Sequence, residues 1–148
     1  MKKILVMMIV VSIGFVFSST AQIRKIPAEV TNAFSEKYPD AKDVEWKDNL
    51  SSFIVSFEKE GENLEARFNK KGEWQSTEKL IEVDDLPEKV EDGFEKSKYS
   101  DWEVKSVYKI ELPKDELQYR LRVAKSDIQQ RNLLFNEKGK LLKDKITL

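Results

Sequence analysis

Ile26-Pro27-Ala28-Glu29-Val30-Thr31-Asn32-Ala33-Phe34-Ser35-Glu36-Lys37-Tyr38-Pro39-Asp40 is a stretch whose key residues occur twice in this chain. The second copy keeps Leu86-Pro87, Val90, Gly93, Phe94, Lys98-Tyr99 and Asp101. The offset is 60 residues from Ile26 through Phe34 and 61 from Lys37 through Asp40, so one inserted residue accounts for the slip. A second echo follows at an offset of 67, where Arg67-Phe68-Asn69-Lys70-Lys71-Gly72 answers Leu134-Phe135-Asn136-Glu137-Lys138-Gly139. Self-similarity at a fixed spacing points to a duplicated structural unit. The spacing predicts one unit over residues 22–83 and another over 84–148.

Within each copy the first segment reads as a helix. Pro27 has the fixed φ that suits a first helical turn, and Ile26, Val30, Ala33, Phe34 and Tyr38 then fall on one stripe at helical spacing. Pro39 stops the helix after Tyr38. In the second copy Asp84-Asp85 place negative charge beside the helix start, where the dipole favours it. Ala33 and Gly93 hold matching positions, and a small residue there is expected to let each helix lie close on the layer beneath.

After each helix the period changes from 3.6 to 2. Val44/Trp46, Phe53/Val55/Phe57 and Leu64/Ala66/Phe68 alternate with polar neighbours in the first unit, as do Tyr119/Leu121/Val123 and Leu133/Phe135 in the second. Turn signals separate these runs at Asp48-Asn49, Glu60-Gly61, Asn69 to Gly72, Pro113 to Glu116, Ser126-Asp127 and Asn136 to Gly139. The two Asn-x-x-Gly turns suit bulged hairpins with a left-handed glycine. The expected fold class is α+β: two tandem units, each a helix plus a four-stranded antiparallel sheet. With only Glu82 to Asp85 between them, the two sheets are expected to join edge to edge into one eight-stranded sheet with the helices on one face.

The order Ile26-Pro27, Val30, Phe34, Lys37-Tyr38-Pro39-Asp40-Ala41, then Phe68-Asn69-Lys70-Lys71-Gly72-Glu73-Trp74, repeated behind an apolar leader, resembles the bacterial PepSY-like, β-lactamase-inhibitor-like family. The resemblance covers nearly all of residues 26–148 and rests on structural motifs, a helix start and a hairpin. It implies tandem helix-plus-four-strand units whose sheet offers a concave surface to a protein partner. The chain departs from the inhibitory protein that gives the family its name in having no cysteine, so inhibition of a β-lactamase is not carried over.

Met1-Lys2-Lys3, the apolar run Ile4 to Phe17 and the small residues Ser19-Thr20-Ala21 have the layout of a secretory signal peptide cleaved after Ala21. The apolar run is shorter than the roughly 20 residues of a spanning helix. No membrane insertion is expected after cleavage, and the mature protein should be exported, either periplasmic or secreted. Removal of residues 1–21 takes away only Lys2 and Lys3 among the charged side chains, which leaves a small net negative charge of interspersed signs. Such a balance gives little counterion release on a phosphate backbone, and nucleic acid is not an expected partner.

The chain contains no His and no Cys. Ser-His-Asp and Cys-His machinery, and metal, haem or iron–sulfur sites built on His or Cys, are therefore excluded. The glycines at 61, 72, 93 and 139 are too far apart for a nucleotide-binding loop. Asp84-Asp85 and Glu58/Glu60/Glu62 are the densest acidic groups, and they read as a helix start and a solvated strand end rather than an acid/base pair. No spacing matches a calcium loop. No catalytic residue, cofactor or metal site is expected.

Two sets of residues remain as candidates for recognition. Trp46, Trp74, Trp102 and Tyr108 are large and rigid, as binding anchors tend to be. Trp46, in phase with Val44, reads as a core residue, whereas Trp74 just after a hairpin glycine is kept as a candidate. The polar partners of the strand alternation, Glu65 and Arg67 in the first unit and Arg120 and Arg122 in the second, are expected to line one exposed face if the sheets join. Arginines there suit two-pronged recognition of carboxylates, and the plain alternative is an ordinary solvated face. The expectation is a non-catalytic, exported protein that binds a protein or peptide of the envelope. A carrier of a small ligand or cation and a structural scaffold are the alternatives, and the sequence leaves the partner and the oligomeric state open.

Overall fold

The computed structural model describes residues 25–147, so the predicted signal peptide lies outside the described residues. Helix α1 (Ala28–Lys37) leads into β1 (Lys42–Asn49), β2 (Ser52–Lys59), β3 (Glu62–Asn69) and β4 (Trp74–Ile81). A short 3-10 turn, Val83–Asp85, precedes α2 (Glu88–Glu95), followed by β5 (Glu103–Glu111), β6 (Leu117–Ser126), β7 (Gln129–Asn136) and β8 (Leu141–Ile146). The eight strands form one sheet in chain order, each antiparallel to its neighbours. Its two halves meet where β4 pairs with β5, from Thr77 opposite Glu111 to Ile81 opposite Val107.

The Ile-Pro and Leu-Pro echo marks two helix starts. Pro27 and Pro87 both have φ −59° and stand one residue ahead of the helix rather than inside its first turn. The Pro27 carbonyl accepts from the amides of Val30 and Thr31, and the Pro87 carbonyl from those of Val90 and Glu91. Each proline thus supplies an acceptor while lacking the N–H that a helix start would leave unpaired. At the other end of α1, Tyr38 leaves the helical region with φ −132° and ψ 66°, as its position before Pro39 requires. Asp84 and Asp85 lie in the 3-10 turn before α2, not in the helix.

Cross-strand register places both helices on one side. Residues directly opposite in neighbouring antiparallel strands point to the same face. Val55, Ala66 and Thr77 form one such row, and Ile81, Val107, Leu121 and Leu133 form another. Thr77 and Ile81 are four residues apart on β4, so the two rows share a face. Val30, Phe34 and Tyr38 pack on the first row with Phe53, Phe57 and Phe68, while Val90, Phe94 and Tyr99 pack on the second with Tyr119, Val123 and Phe135. Phe34 stands edge-on to Trp46, Phe57 and Phe68, with centroids 5.1–6.2 Å away. Removing such a buried ring costs about 3–5 kcal/mol.

The Asn-x-x-Gly hairpins join these layers. Asn69 Oδ1 accepts from the amides of Lys71 and Glu73, and Asn136 Oδ1 accepts from those of Lys138 and Lys140. The turns close on Gly72 and Gly139 at φ +81° and +80°, and a bulge follows each in the β3–β4 and β7–β8 ladders. Each turn also touches the start of its helix: a Cβ on Gly72 would come within 2.5 Å of the Glu29 carbonyl oxygen, and one on Gly139 would run into that of Lys89. Gly93 is small for the same contact, since its nearest neighbour is the Gly139 carbonyl, in the hairpin turn rather than in the strands below the helix.

Candidate functional site

With both helices on one side, the other face of the sheet has no covering layer among the described residues. Strand alternation sends Glu65 and Arg67 of β3, Ser76, Glu78 and Leu80 of β4 and Tyr108 and Ile110 of β5 to this open face. Beyond them come Arg120 and Arg122 of β6, Asn132 and Leu134 of β7, and Lys143 and Lys145 of β8. Four of the five residues singled out from the sequence, Glu65, Arg67, Arg120 and Arg122, therefore share one surface. Trp74 does not join them. It lies opposite Phe68 on the helix side, its indole N–H donates to Thr77 Oγ1 at 2.8 Å, and Lys37 Nζ sits 3.8 Å above its ring.

Arg120 is the best-anchored cation of the face. Its guanidinium reaches across β5 to Glu78, with Nη2 2.8 Å from Oε2, and its Cζ lies 4.6 Å from the Tyr108 ring centre. Tyr108 is its direct cross-strand neighbour, and Ile110 is the neighbour of Glu78. Ile110 is only 9 % exposed although it lies on the face away from the helices. Burial pushes the Glu78 carboxyl above its ordinary range and Glu65 adds to the shift, while Arg120 works against both. Arg122 is held differently, its Nε and Nη2 donating to Gln130 Oε1, and Arg67 Nη1 donates to Ser52 Oγ at 3.4 Å.

Next to the bridge runs a groove of about 320 Å³ with Ile110 and Leu134 among its walls and Arg120, Lys143 and Lys145 as its charged lining. Leu80, 60 % exposed, stands directly opposite Tyr108. The apolar strip with a cationic border is suited to an extended chain or a side chain bearing a carboxylate.

The family described as "Putative beta-lactamase-inhibitor-like, PepSY-like" matches residues 51–143. The chain belongs to that family. The matched span contains every open-face residue named above except Lys145. A DUF2874 family protein from Bacteroides ovatus ATCC 8483 has 26% sequence identity and a TM-score of 0.73, with 81% of this chain and 86% of that one covered. A BLIP-like protein from Bacteroides fragilis NCTC 9343 has 24% identity and a TM-score of 0.70, covering 82% and 86%. A protein from Bacteroides eggerthii DSM 20697 described among "putative periplasmic proteins" has 24% identity and a TM-score of 0.73, covering 81% and 88%. No curated protein matches the sequence.

In this PepSY-like chain the site residues that sequence reasoning passed over are Glu78, Leu80, Ile110, Leu134, Lys143 and Lys145. Glu78 and Leu80 sit in Trp74–Ile81 and the two lysines in Leu141–Ile146, strands whose alternation is weak because polar residues occupy both faces. A period-2 count through Lys143 and Lys145 was the available signal. Among the described residues no helix is long and apolar enough to cross a membrane, and no group of three or more acidic side chains is placed to hold a metal ion.

Proposed function

We propose that this protein is an exported, non-catalytic binding protein of the cell envelope whose open sheet face engages a protein or peptide. The observation that carries the reading is Arg120, held by Glu78 and Tyr108 on the sheet face away from the helices and bordering the Ile110/Leu134 groove. A preordered guanidinium beside desolvated apolar surface is the arrangement that concentrates binding energy in a few residues. Export is supported by the leader-like residues 1–21 and by the periplasmic description of a protein of the same fold. The lack of His and Cys and the inhibitor-like family favour gripping over turnover.

A photo-crosslinking residue in place of Leu80, compared with one in place of Lys89 at the start of α2, tests this in the native bacterium. The reading predicts a discrete adduct from position 80 that disappears when Arg120→Ala is added. Adducts from position 89 alone, or adducts from 80 that ignore Arg120, would contradict it.

A further inference from the structure

A cavity of about 490 Å³ opens on the helix side at the β8 end of the sheet. Its cationic lining is separate from the open face, and the two meet only at Gln130, which lines the cavity and accepts from Arg122. Tyr99 and Trp102 line it with rings set edge-to-face at 5.1 Å and 85°, Tyr99 buried and Trp102 half-buried. Lys98, Lys125 and Arg131 line it, and no carboxylate does. Two acids nearby engage these cations. Asp144 takes Arg131 at 2.8 Å and Lys98 at 3.7 Å, and Asp101 takes Lys125 at the long distance of 3.8 Å. The cations therefore belong to the lining itself, while the carboxylates that hold Lys98 and Lys125 stand outside it at long distances. Ile128, 92 % exposed, borders it on the side of the β6–β7 turn.

The first half of the chain shows that the fold does not require this arrangement. Thr77 opposite Ala66 and Asp144 opposite Leu133 hold corresponding places, each meeting the hydroxyl of the tyrosine that follows its helix. Two residues along the same ladders, Leu64 opposes Lys79 and Arg131 takes the place of Leu64. Trp102 stands three residues after Tyr99, where Ala41 stands after Tyr38. Leu64 and Ala41 simply pack against the first core, and Lys79 pairs with Glu62. The second half has arginine, tryptophan and aspartate in place of leucine, alanine and threonine. Together they create a polar cavity with an aromatic side where the first half has ordinary packing.

The geometry points to a second binding site here, for a small organic monoanion with a flat apolar body, such as an aromatic carboxylate. The volume lies in the range of small-ligand pockets, the half-buried Trp102 ring supplies an apolar contact, and the cationic lining selects against cations.

Calorimetric titration of the purified protein with 2-naphthoate and with its uncharged counterpart 2-naphthamide tests the assignment. Naphthoate should bind saturably at one site and about tenfold or more tighter than the amide. Lys98→Ala with Lys125→Ala, both solvent-exposed positions, should abolish that preference while leaving the circular dichroism unchanged. Arg120→Ala with Lys143→Ala on the open face should leave naphthoate binding unaltered. Equal affinity for the two compounds, absence of saturable binding at millimolar naphthoate, or loss of binding through the open-face pair would each overturn the proposal. The comparison of the two compounds on the unaltered protein decides the matter if the lysine variant does not fold.

Discussion

The hydroxyl of Tyr99 hydrogen-bonds the carboxylate of Asp144, where the matching tyrosine of the first half, Tyr38, meets the hydroxyl of Thr77. One contact involves a titratable group and the other a neutral one, so the two halves should respond differently to acid. Burial alone would raise the Asp144 carboxyl, but the hydrogen bonds from Tyr99 and Arg131 and the charges of Arg131 and Lys98 together bring it below its ordinary value of 3.8. A carboxylate with a depressed folded-state pKa stabilises the fold above its unfolded value, and that stability is lost as pH falls through the folded value. Tyr99→Phe should therefore cost about 1–2 kcal/mol in urea unfolding at pH 7 and less at about pH 2.5. Tyr38→Phe should cost about 1 kcal/mol at both. An equal pH response of the two variants would show that Asp144 is not held as described.

Glu78 should behave in the opposite sense. Its folded-state pKa lies above the ordinary 4.5, so the stability linked to its protonated form is present below 4.5 and is lost as pH rises through the raised value. Glu78→Gln removes that loss. The stability of the variant relative to the parent should therefore improve between pH 4 and pH 7, read by denaturant unfolding at each pH. A relative stability that worsens over this interval would mean that Arg120 outweighs burial.

The contact between hairpin and helix can be tested at Gly139. It combines φ +80° with a position where a Cβ would run into the Lys89 carbonyl, whereas Gly61 has φ +81° and open space around it. Gly61→Ala carries only the left-handed penalty of about 1–2 kcal/mol. Gly139→Ala adds a backbone collision, and its thermal midpoint should fall well below that of Gly61→Ala. Equal midpoints would mean that the hairpin moves away from α2 at little cost.

Most of the framework was legible because it is local. Proline before each apolar stripe, period-2 runs and Asn-x-x-Gly turns each involve a few neighbouring residues, and the observed elements follow them. The i, i+2 relation of Glu65 to Arg67 and of Arg120 to Arg122 also secures a shared face within each strand. Pairing of β4 with β5 brings the two sets onto one surface, and that is a long-range event with no local marker. Trp74, kept as a candidate because it follows a hairpin glycine, lies on the helix side although Ser76 faces the open side, since the bulge in the β3–β4 ladder breaks the alternation between them. The Arg120–Glu78 bridge spans an intervening strand, and no spacing rule along the chain announces it.

The proposed function requires that the open face, and not the helices, does the gripping. The most direct test uses the partner trapped by crosslinking at position 80, once purified, in a titration against paired variants. Arg120→Ala with Leu80→Asp should weaken binding by about tenfold or more, and Glu29→Ala with Lys89→Ala on the helix side should leave it unchanged. Full affinity in the open-face pair together with a loss in the helix-side pair would contradict the account.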